Sequence, residues 1–142
     1  MQESGQSTPM TVFDGDAAAA QEELRALLAD AEAALSEAFT GLDWADTAAP
    51  ESSAVLGGCT VRVPGRRAST YLGREASDWS RIEEALTSAA RKHGMAETSA
   101  LTGGTGGWLT STAQGRGLRL EFRSKGHCEL AVSAVVAGDC AD

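Results

Sequence analysis

Apolar residues recur at three- and four-residue steps in the first third of the chain, which is the spacing of an α-helix. They form one stripe in a predicted helix over residues 16–40, made of Leu24, Leu27, Leu28, Ala31, Leu35, Ala38, Phe39 and Leu42. Asp14 or Asp16 can cap the start of this helix, and Gly41 suits its end. Such a stripe usually packs into a core, and a helix that docks onto a partner protein is the alternative.

A second stretch with helical spacing predicts a helix over residues 78–93. Its buried stripe is Trp79, Ile82, Leu86, Ala89 or Ala90, and His93. Ser77 or Asp78 is expected to cap the start, and Ser80 with Glu83 has the spacing of a capping box. Lys92 and His93 lie at the negative end of the helix dipole, so His93 is interpreted as a C-terminal cap.

Elsewhere the pattern alternates with a period of two and predicts β-strands. The predicted strands are residues 59–63, 68–72, 108–113, 117–124 and 128–137. Pro64-Gly65 predicts a turn between the first two strands. Residues 43–58 are predicted as a loop, in which Trp44 could anchor the end of the first helix to the core. The last three strands have short connections, so they are expected to be antiparallel.

The order helix, strands, helix, strands predicts an α+β fold with two layers. We expect an antiparallel sheet of about 4–5 strands with two helices packed on one face. Residues 1–15 have the composition of a disordered leader or tether. Residues 16–142 are expected to form one domain, in which a long helix (16–42) precedes a sheet and a helix (59–142).

The three cysteines carry the most specific signal in the chain. Cys59 opens the first predicted strand and Cys140 follows the last, so a Cys59–Cys140 disulfide would close the sheet. That pairing indicates an oxidising compartment, and therefore export. Cys59–Cys128 remains an alternative pairing, and three reduced thiols in a cytosolic protein are a third possibility. If Cys59 pairs with Cys140, Cys128 is expected to be a buried, inert thiol.

Charge and hydropathy limit the partners and the compartment. The chain has 12 basic and 20 acidic residues and a formal net charge of −8, which argues against a nucleic-acid partner. It lacks a run of 18 apolar residues, and residues 1–11 lack the apolar centre of a signal peptide. Taken literally, this predicts a cytoplasmic protein; the alternative is a mature form from which an export signal has been removed.

Candidate chemistry is sparse, and neither a metal nor a cofactor is expected. The glycine-rich segment 103–107 leads into a strand and lacks the lysine of a phosphate-binding loop, so it is interpreted as a flexible connection. His93 and His127 lack a recognisable nucleophile or ligand set nearby in the sequence. His127 and Cys128 are neighbours in a strand and should point to opposite faces.

One basic cluster could receive an anionic ligand, although a solvated sheet face is the simpler interpretation. It consists of Arg62, Arg66, Arg67 and Arg74 with Tyr71. Gly106 and Trp108, in and after the glycine-rich segment, are further candidates for ligand contact.

Four features from Cys59 onward resemble the mature domain of small actinobacterial cell-envelope lipoproteins, including the LppA-like group. These are Cys59 in an early strand, the Asp-Trp-x-x-Ile-x-x-x-Leu helix ending in Lys-His-Gly (78–94), the Gly-Gly-Trp strand start (106–108), and Cys140 after the closing strand. The resemblance implies export and lipid anchoring at the outer face of the cytoplasmic membrane, through an N-terminal cysteine that this sequence lacks. It implies no activity.

Three functional hypotheses follow. The first is a non-enzymatic extracytoplasmic lipoprotein domain that binds a protein or a cell-envelope ligand through its sheet face or its glycine-rich segment. The second is a cytosolic adaptor that uses the long acidic helix as its docking surface. The third is a small hydrolase that uses His93 or His127.

Overall fold

A computed structural model describes residues 12–48, 53–55, 58–103 and 105–138. It contains two α-helices, α1 (Ala17–Ala38) and α2 (Trp79–Lys92), as the periodicity predicts. The Asp16 side chain caps α1 by accepting a hydrogen bond from the Ala19 N–H at 2.8 Å, which confirms one of the two predicted caps. Within the described residues, neither helix combines the length and the apolarity that a membrane span requires.

In the described part of the chain, nine β-strands form one antiparallel sheet beside the helices. They are β1 (Trp44–Asp46), β2 (Ser53–Val55), β3 (Gly58–Arg62), β4 (Arg66–Ala68), β5 (Glu97–Thr98), β6 (Thr102–Gly103), β7 (Leu109–Gly115), β8 (Leu118–Ser124) and β9 (Cys128–Ala137). The main path across the sheet is β1-β4-β9-β8-β7-β5, while β2 pairs with β3 and β6 pairs with β7. The predicted α+β fold with an antiparallel sheet is therefore confirmed, although the strand count is larger than the predicted 4–5.

The additional strands are short. β1 and β2 lie inside the predicted loop 43–58, and β5 and β6 each contribute two residues that pair with β7. Two or three residues are too few for a period-two pattern to be visible in a sequence. Trp44 lies in β1 and its indole N–H donates to the Ser36 hydroxyl of α1 at 2.8 Å, which agrees with the predicted anchor for the helix.

The predicted turn at Pro64-Gly65 is wrong, because the chain continues in the same direction there. β3 and β4 follow each other along the same side of β9, with Arg62 opposite Ser133 and Arg66 opposite Leu130. Four residue steps on one strand face three on the other, which is the geometry of a β-bulge. Gly65 is required in this bulge, since a Cβ there would collide with the Leu130 carbonyl oxygen. The second predicted strand (68–72) is thus displaced to Arg66–Ala68.

The core lies between the helices and one side of the sheet, which we call the inner face. In β9 the even-numbered residues from Cys128 to Val136 are buried, and in β8 the alternate positions Leu118, Leu120 and Phe122 are buried with them. The Leu24–Leu35 stripe of α1 is buried in the same core. The stripe therefore serves the fold, which is the first of its two interpretations, and the alternative of an apolar docking face is not supported.

The start of α2 differs from its predicted cap. The Asp78 side chain accepts no capping hydrogen bond from the backbone of α2, and a single 3-10 turn (Ala76–Asp78) leads into the helix. Glu83 does not complete a capping box, because its carboxylate accepts a hydrogen bond from the Leu101 N–H at 2.7 Å. Glu83 thereby holds the segment that follows α2 instead of capping the helix.

The folded part of the chain begins before the predicted boundary at residue 16. Residues 1–11 of the predicted leader lie outside the described part, but Phe13 is buried and its N–H donates to the Val135 carbonyl at 2.7 Å. The backbone at Phe13 passes so close to Gly117 that a Cβ at Gly117 would overlap it. Gly117 also has a φ of 77° in the two-residue turn between β7 and β8, a conformation that favours glycine.

Candidate functional site: the outer face of the sheet

The side of the sheet that faces away from the helices, which we call the outer face, carries four arginines. Arg62 comes from β3, Arg67 from β4, and Arg119 and Arg123 from β8. They line an open cleft of about 770 Å³, one wall of which is formed by residues 45–48. Asp46, Glu121 and Glu129 also line the cleft, so its lining has four basic and three acidic side chains in a chain whose net charge is −8.

The strand register places these arginines in two rows across β9. In the first row Arg62 and Arg119 lie on either side of Ser133, because Ser133 pairs with both of them. Neighbouring strands are about 4.8 Å apart, so the Cα atoms of the two arginines are separated by about 9.5 Å. The small Ser133 side chain between them leaves space that an anionic group could occupy.

In the second row Arg67 and Arg123 lie on either side of Glu129. An Arg67 guanidinium nitrogen is 2.9 Å from the Glu129 carboxylate, and His127 Nε2 is 2.8 Å from the same oxygen. Burial alone would raise the pKa of Glu129, but the hydrogen bonds from Arg67 and His127 outweigh that effect and lower it. Glu129 therefore carries its negative charge between the two arginines.

Trp108 lies beside this end of the cleft, in contact with Arg123. The Arg123 guanidinium stacks over its indole ring at 4.3 Å, and the His127 ring contacts it edge-on with the centroids 5.6 Å apart. Arg123 covers a face of the indole ring, so that face is not available as a stacking platform. Trp108 thus acts here by positioning Arg123.

The structure separates the predicted basic cluster. Arg62 and Arg67 line the cleft, whereas Arg66 points to the inner face and binds Glu32 of α1 at 3.0 Å and Asp46 of β1. Tyr71 is partly buried against the core, and Arg74 is exposed in the segment before α2. Gly106 is exposed in a single 3-10 turn. Of the seven predicted ligand-contact residues, therefore, Arg62 and Arg67 line the cleft, and Trp108 contacts one of its arginines, Arg123.

Sequence reasoning missed Arg119 and Arg123 as members of the site. In the sequence they alternate with Leu118, Leu120 and Phe122, which is typical of the solvated side of a strand, but this alternation contains no information about which strand lies beside β8. Only the pairing of β8 with β9, and of β9 with β3 and β4, brings the four arginines together.

His93 occupies a different environment, between the two helices. Its ring is 9% exposed, with Nδ1 at 2.5 Å from a Glu23 oxygen and Nε2 at 2.7 Å from an Asp30 oxygen. Only the doubly protonated ring can donate to both carboxylates. The prediction that His93 is a simple C-terminal cap is thus incomplete, because its side chain ties α2 to α1.

The two histidines do not form a common site. His93 is buried between helices, while His127 precedes β9 at the outer face. The nearby Ser124 hydroxyl is buried and donates to the Leu72 carbonyl at 2.6 Å. Among the residues that the structure describes, no group of three or more His, Cys, Asp or Glu side chains is arranged to hold a metal ion.

The alternative pairing of Cys59 with Cys128 is wrong. Cys59 lies opposite Val136 in β9, eight residues from Cys128, which corresponds to about 27 Å along the strand. A disulfide requires Cα atoms within about 7 Å. Cys128 is a free, buried thiol, and burial raises its pKa to about 11, as expected of an inert cysteine. Cys140 lies outside the described residues, so the Cys59–Cys140 pairing stays a prediction.

Comparison with known proteins places the fold but not the family. No family model matches the chain, and no curated protein matches it. One solved structure with a similar fold is that of the candidate lipoprotein LppA from Mycobacterium tuberculosis. The TM-score is 0.63 at 17% sequence identity, over 86% of this chain and 79% of the other. This similarity shows that the two proteins share a fold, and it agrees with the resemblance found in the sequence.

Proposed function

We propose that this chain is a non-enzymatic, extracytoplasmic lipoprotein domain that binds an anionic ligand of the cell envelope in the outer-face cleft. The observation that carries the proposal is the set of four arginines, Arg62, Arg67, Arg119 and Arg123, around an open cleft in an otherwise acidic protein. Arginine is well suited to carboxylates and phosphates, because its planar fork of N–H donors matches their oxygens.

The chemistry of the cleft favours binding over catalysis. General acid–base catalysis needs a titrating group within reach of a reacting bond. Glu129 holds its charge through Arg67 and His127, and Arg123 is fixed on Trp108. These contacts give a charged surface. The hydrolase hypothesis with His93 is not favoured, because both ring nitrogens of His93 are engaged by carboxylates.

Binding is tested by affinity electrophoresis or calorimetry with an acidic polysaccharide and a neutral one. We expect polygalacturonate to bind with an affinity that falls as salt concentration rises, and dextran not to bind. The double variant Arg62→Gln/Arg119→Gln should lose most of this binding while its unfolding midpoint stays unchanged. Equal binding of both polymers, or of neither, would contradict the proposal.

Export is supported by the fold similarity to a candidate lipoprotein and by the position of Cys140, four residues after the partner of Cys59 in β9. The cross-link between Cys59 and Cys140 is part of the proposal. It would enclose a loop of about 80 residues and stabilise the domain by about 4 kcal/mol in the loop-entropy model.

Thiol counting by mass spectrometry tests the cross-link. After secretion and unfolding without reductant, one alkylated thiol at Cys128 and a linked Cys59–Cys140 peptide are expected. The native protein should resist alkylation, since with a pKa of about 11 only about one Cys128 thiol in a thousand is ionised at pH 8. Three alkylated thiols would indicate a cytosolic domain instead.

A further inference from the structure

The two arginine rows of the outer face are separated by a fixed distance along β9. The first row is centred on Ser133 and the second on Glu129, four residues away in the same strand. At about 3.3 Å per residue, the rows are about 13 Å apart. A single small anion can contact one row only, whereas an extended ligand could contact both.

The floor between the rows consists of one small apolar residue, Ala131, and one carboxylate, that of Glu121. Ala131 lies between Ser133 and Glu129 on the outer face of β9, and it is exposed and pairs with Glu121 of β8. Glu121 is one-third exposed and lies 3.9 Å from Arg119. A carboxylate here would repel a ligand that is anionic throughout, but it can accept hydrogen bonds from hydroxyl groups. The centre of the cleft thus suits hydroxyls, and its two ends suit anions.

The arginines of the second row retain donors for a ligand. The Arg67 guanidinium has five N–H donors, and its contact with Glu129 is through one nitrogen. Arg123 stacks on Trp108 with its flat face, so the N–H groups in the plane of the guanidinium can still reach an anion. The contacts that position these arginines therefore do not consume them.

A membrane surface and a nucleic acid fit the cleft less well. A lipid surface is bound through apolar side chains as well as charge, and among the described residues the only large apolar side chain that is exposed is Val12. Single-stranded nucleic acid needs aromatic stacking platforms, and Arg123 covers a face of the Trp108 ring.

We propose that the cleft binds a linear acidic glycan lying along β9, with one anionic group between Arg62 and Arg119 and a second on those N–H groups of Arg67 and Arg123 that Glu129 does not contact. Glycan hydroxyls contact Glu121 over Ala131. This proposal rests on the proposed function, because it requires that the cleft is a binding site. It adds the class of ligand and the distance between its charges.

The test is calorimetry at low ionic strength with galacturonic acid and its linear oligomers up to the octamer. Affinity should increase by about tenfold or more once an oligomer spans both rows, and change little with further length, because the second contact is then intramolecular. Two double variants each remove one row: Arg62→Gln/Arg119→Gln and Arg67→Gln/Arg123→Gln. In each of them, the affinity for the long oligomers should fall to the affinity for the monomer. The control Arg74→Gln/Arg91→Gln removes two exposed charges outside the cleft and should change affinity by less than about twofold.

The outcomes separate this inference from the proposed function. If the monomer and the octamer bind equally and only Arg62 and Arg119 matter, the two-row inference fails and an anion-binding cleft remains. If no oligomer binds, both fail. If the control variant loses as much affinity as the cleft variants, net charge alone is responsible and the inference is overturned. Tighter binding to inorganic polyphosphate of matched length, or to phosphatidylglycerol vesicles, would replace the glycan with another ligand.

Discussion

The two faces of the sheet use the same strands for different purposes. In β9 the even-numbered residues lie on the inner face and are buried, while the odd-numbered residues Glu129, Ala131 and Ser133 lie on the outer face and contact solvent. The inner face meets two helices and contains most of the apolar core. The outer face has four arginines and no covering layer among the described residues.

This difference teaches that neighbouring positions in one strand should respond to mutation in opposite ways. A change on the inner face removes packed atoms and should lower the free energy of unfolding. A change on the outer face removes solvated atoms and should alter binding while leaving stability nearly unchanged. Adjacent residues of opposite orientation therefore serve as matched controls for each other.

The largest effect is expected for Phe122→Ala compared with Arg123→Ala. Phe122 is completely buried, so its truncation should reduce the free energy of unfolding by about 3–5 kcal/mol. Arg123 loses only a stacking contact with Trp108, which is worth about 0.5–1 kcal/mol. Urea denaturation, monitored by circular dichroism, measures the free energy of unfolding of both variants. Equal losses in the two variants would show that the outer face is also covered.

The second comparison is between the two histidines. His93→Ala removes the ring that hydrogen-bonds to both the Glu23 and the Asp30 carboxylates, and should cost about 1–3 kcal/mol. His127→Ala removes a partly exposed contact with Glu129 and should cost less than about 1 kcal/mol. Thermal unfolding at neutral pH ranks the two variants. A larger loss for His127 would contradict the inner-versus-outer distinction.

Arg66 and Arg67 are consecutive residues on opposite faces and sharpen the comparison further. Arg66→Met breaks partly exposed ion pairs to Glu32 and Asp46, and should cost about 1 kcal/mol without affecting binding. Arg67→Met should cost less than about 0.5 kcal/mol but weaken the binding of acidic oligomers. Urea denaturation measures the loss of stability and calorimetry measures the loss of binding, both on the same protein preparations. If Arg66→Met weakened binding and Arg67→Met did not, the outer face would be excluded as the binding site.

The smallest effect concerns acid stability through Glu129. Its pKa is lowered in the folded state, so its contribution to stability is present above the ordinary value of 4.5 and is lost as the pH falls through the lower, folded value. The contribution should be below about 1 kcal/mol, since Glu129 is partly solvated. Glu129→Gln should flatten the acid limb of the stability profile by that amount. Glu121→Gln removes a charge from the same face and is the control. An identical change in the acid limb of the stability profile for both variants would contradict the role of Glu129 in acid stability.

The longer elements of the fold could be predicted from the sequence, because they contain enough residues to display a period. Both helices, β8, β9 and the α+β class follow from spacing alone. The short strands β1, β2, β5 and β6 could not be predicted, since each has two or three residues. The bulge at Pro64-Gly65 was mistaken for a turn, because proline and glycine mark both features.

The candidate site was predicted only in part, for a related reason. The alternation of apolar and polar residues indicates that Arg67 and Arg119 are on exposed faces. It does not show that the strands of these two residues are both neighbours of β9. The pairing of β9 with three other strands is set by contacts distant in sequence, which a local pattern does not contain. The same limit applies to the contact of His93 with Glu23 and Asp30, which are more than sixty residues away.

The position of β9 has a consequence for the order in which the protein folds. β9 is the last of the described strands to be synthesised, yet it lies in the interior of the sheet and joins β3 and β4 to β8. Until β9 is in place, these strands have no common partner, and the arginines of β3 and β4 cannot meet those of β8. The sheet and the cleft must therefore assemble late and together, in a step dominated by long-range contacts, which is slow compared with helix formation.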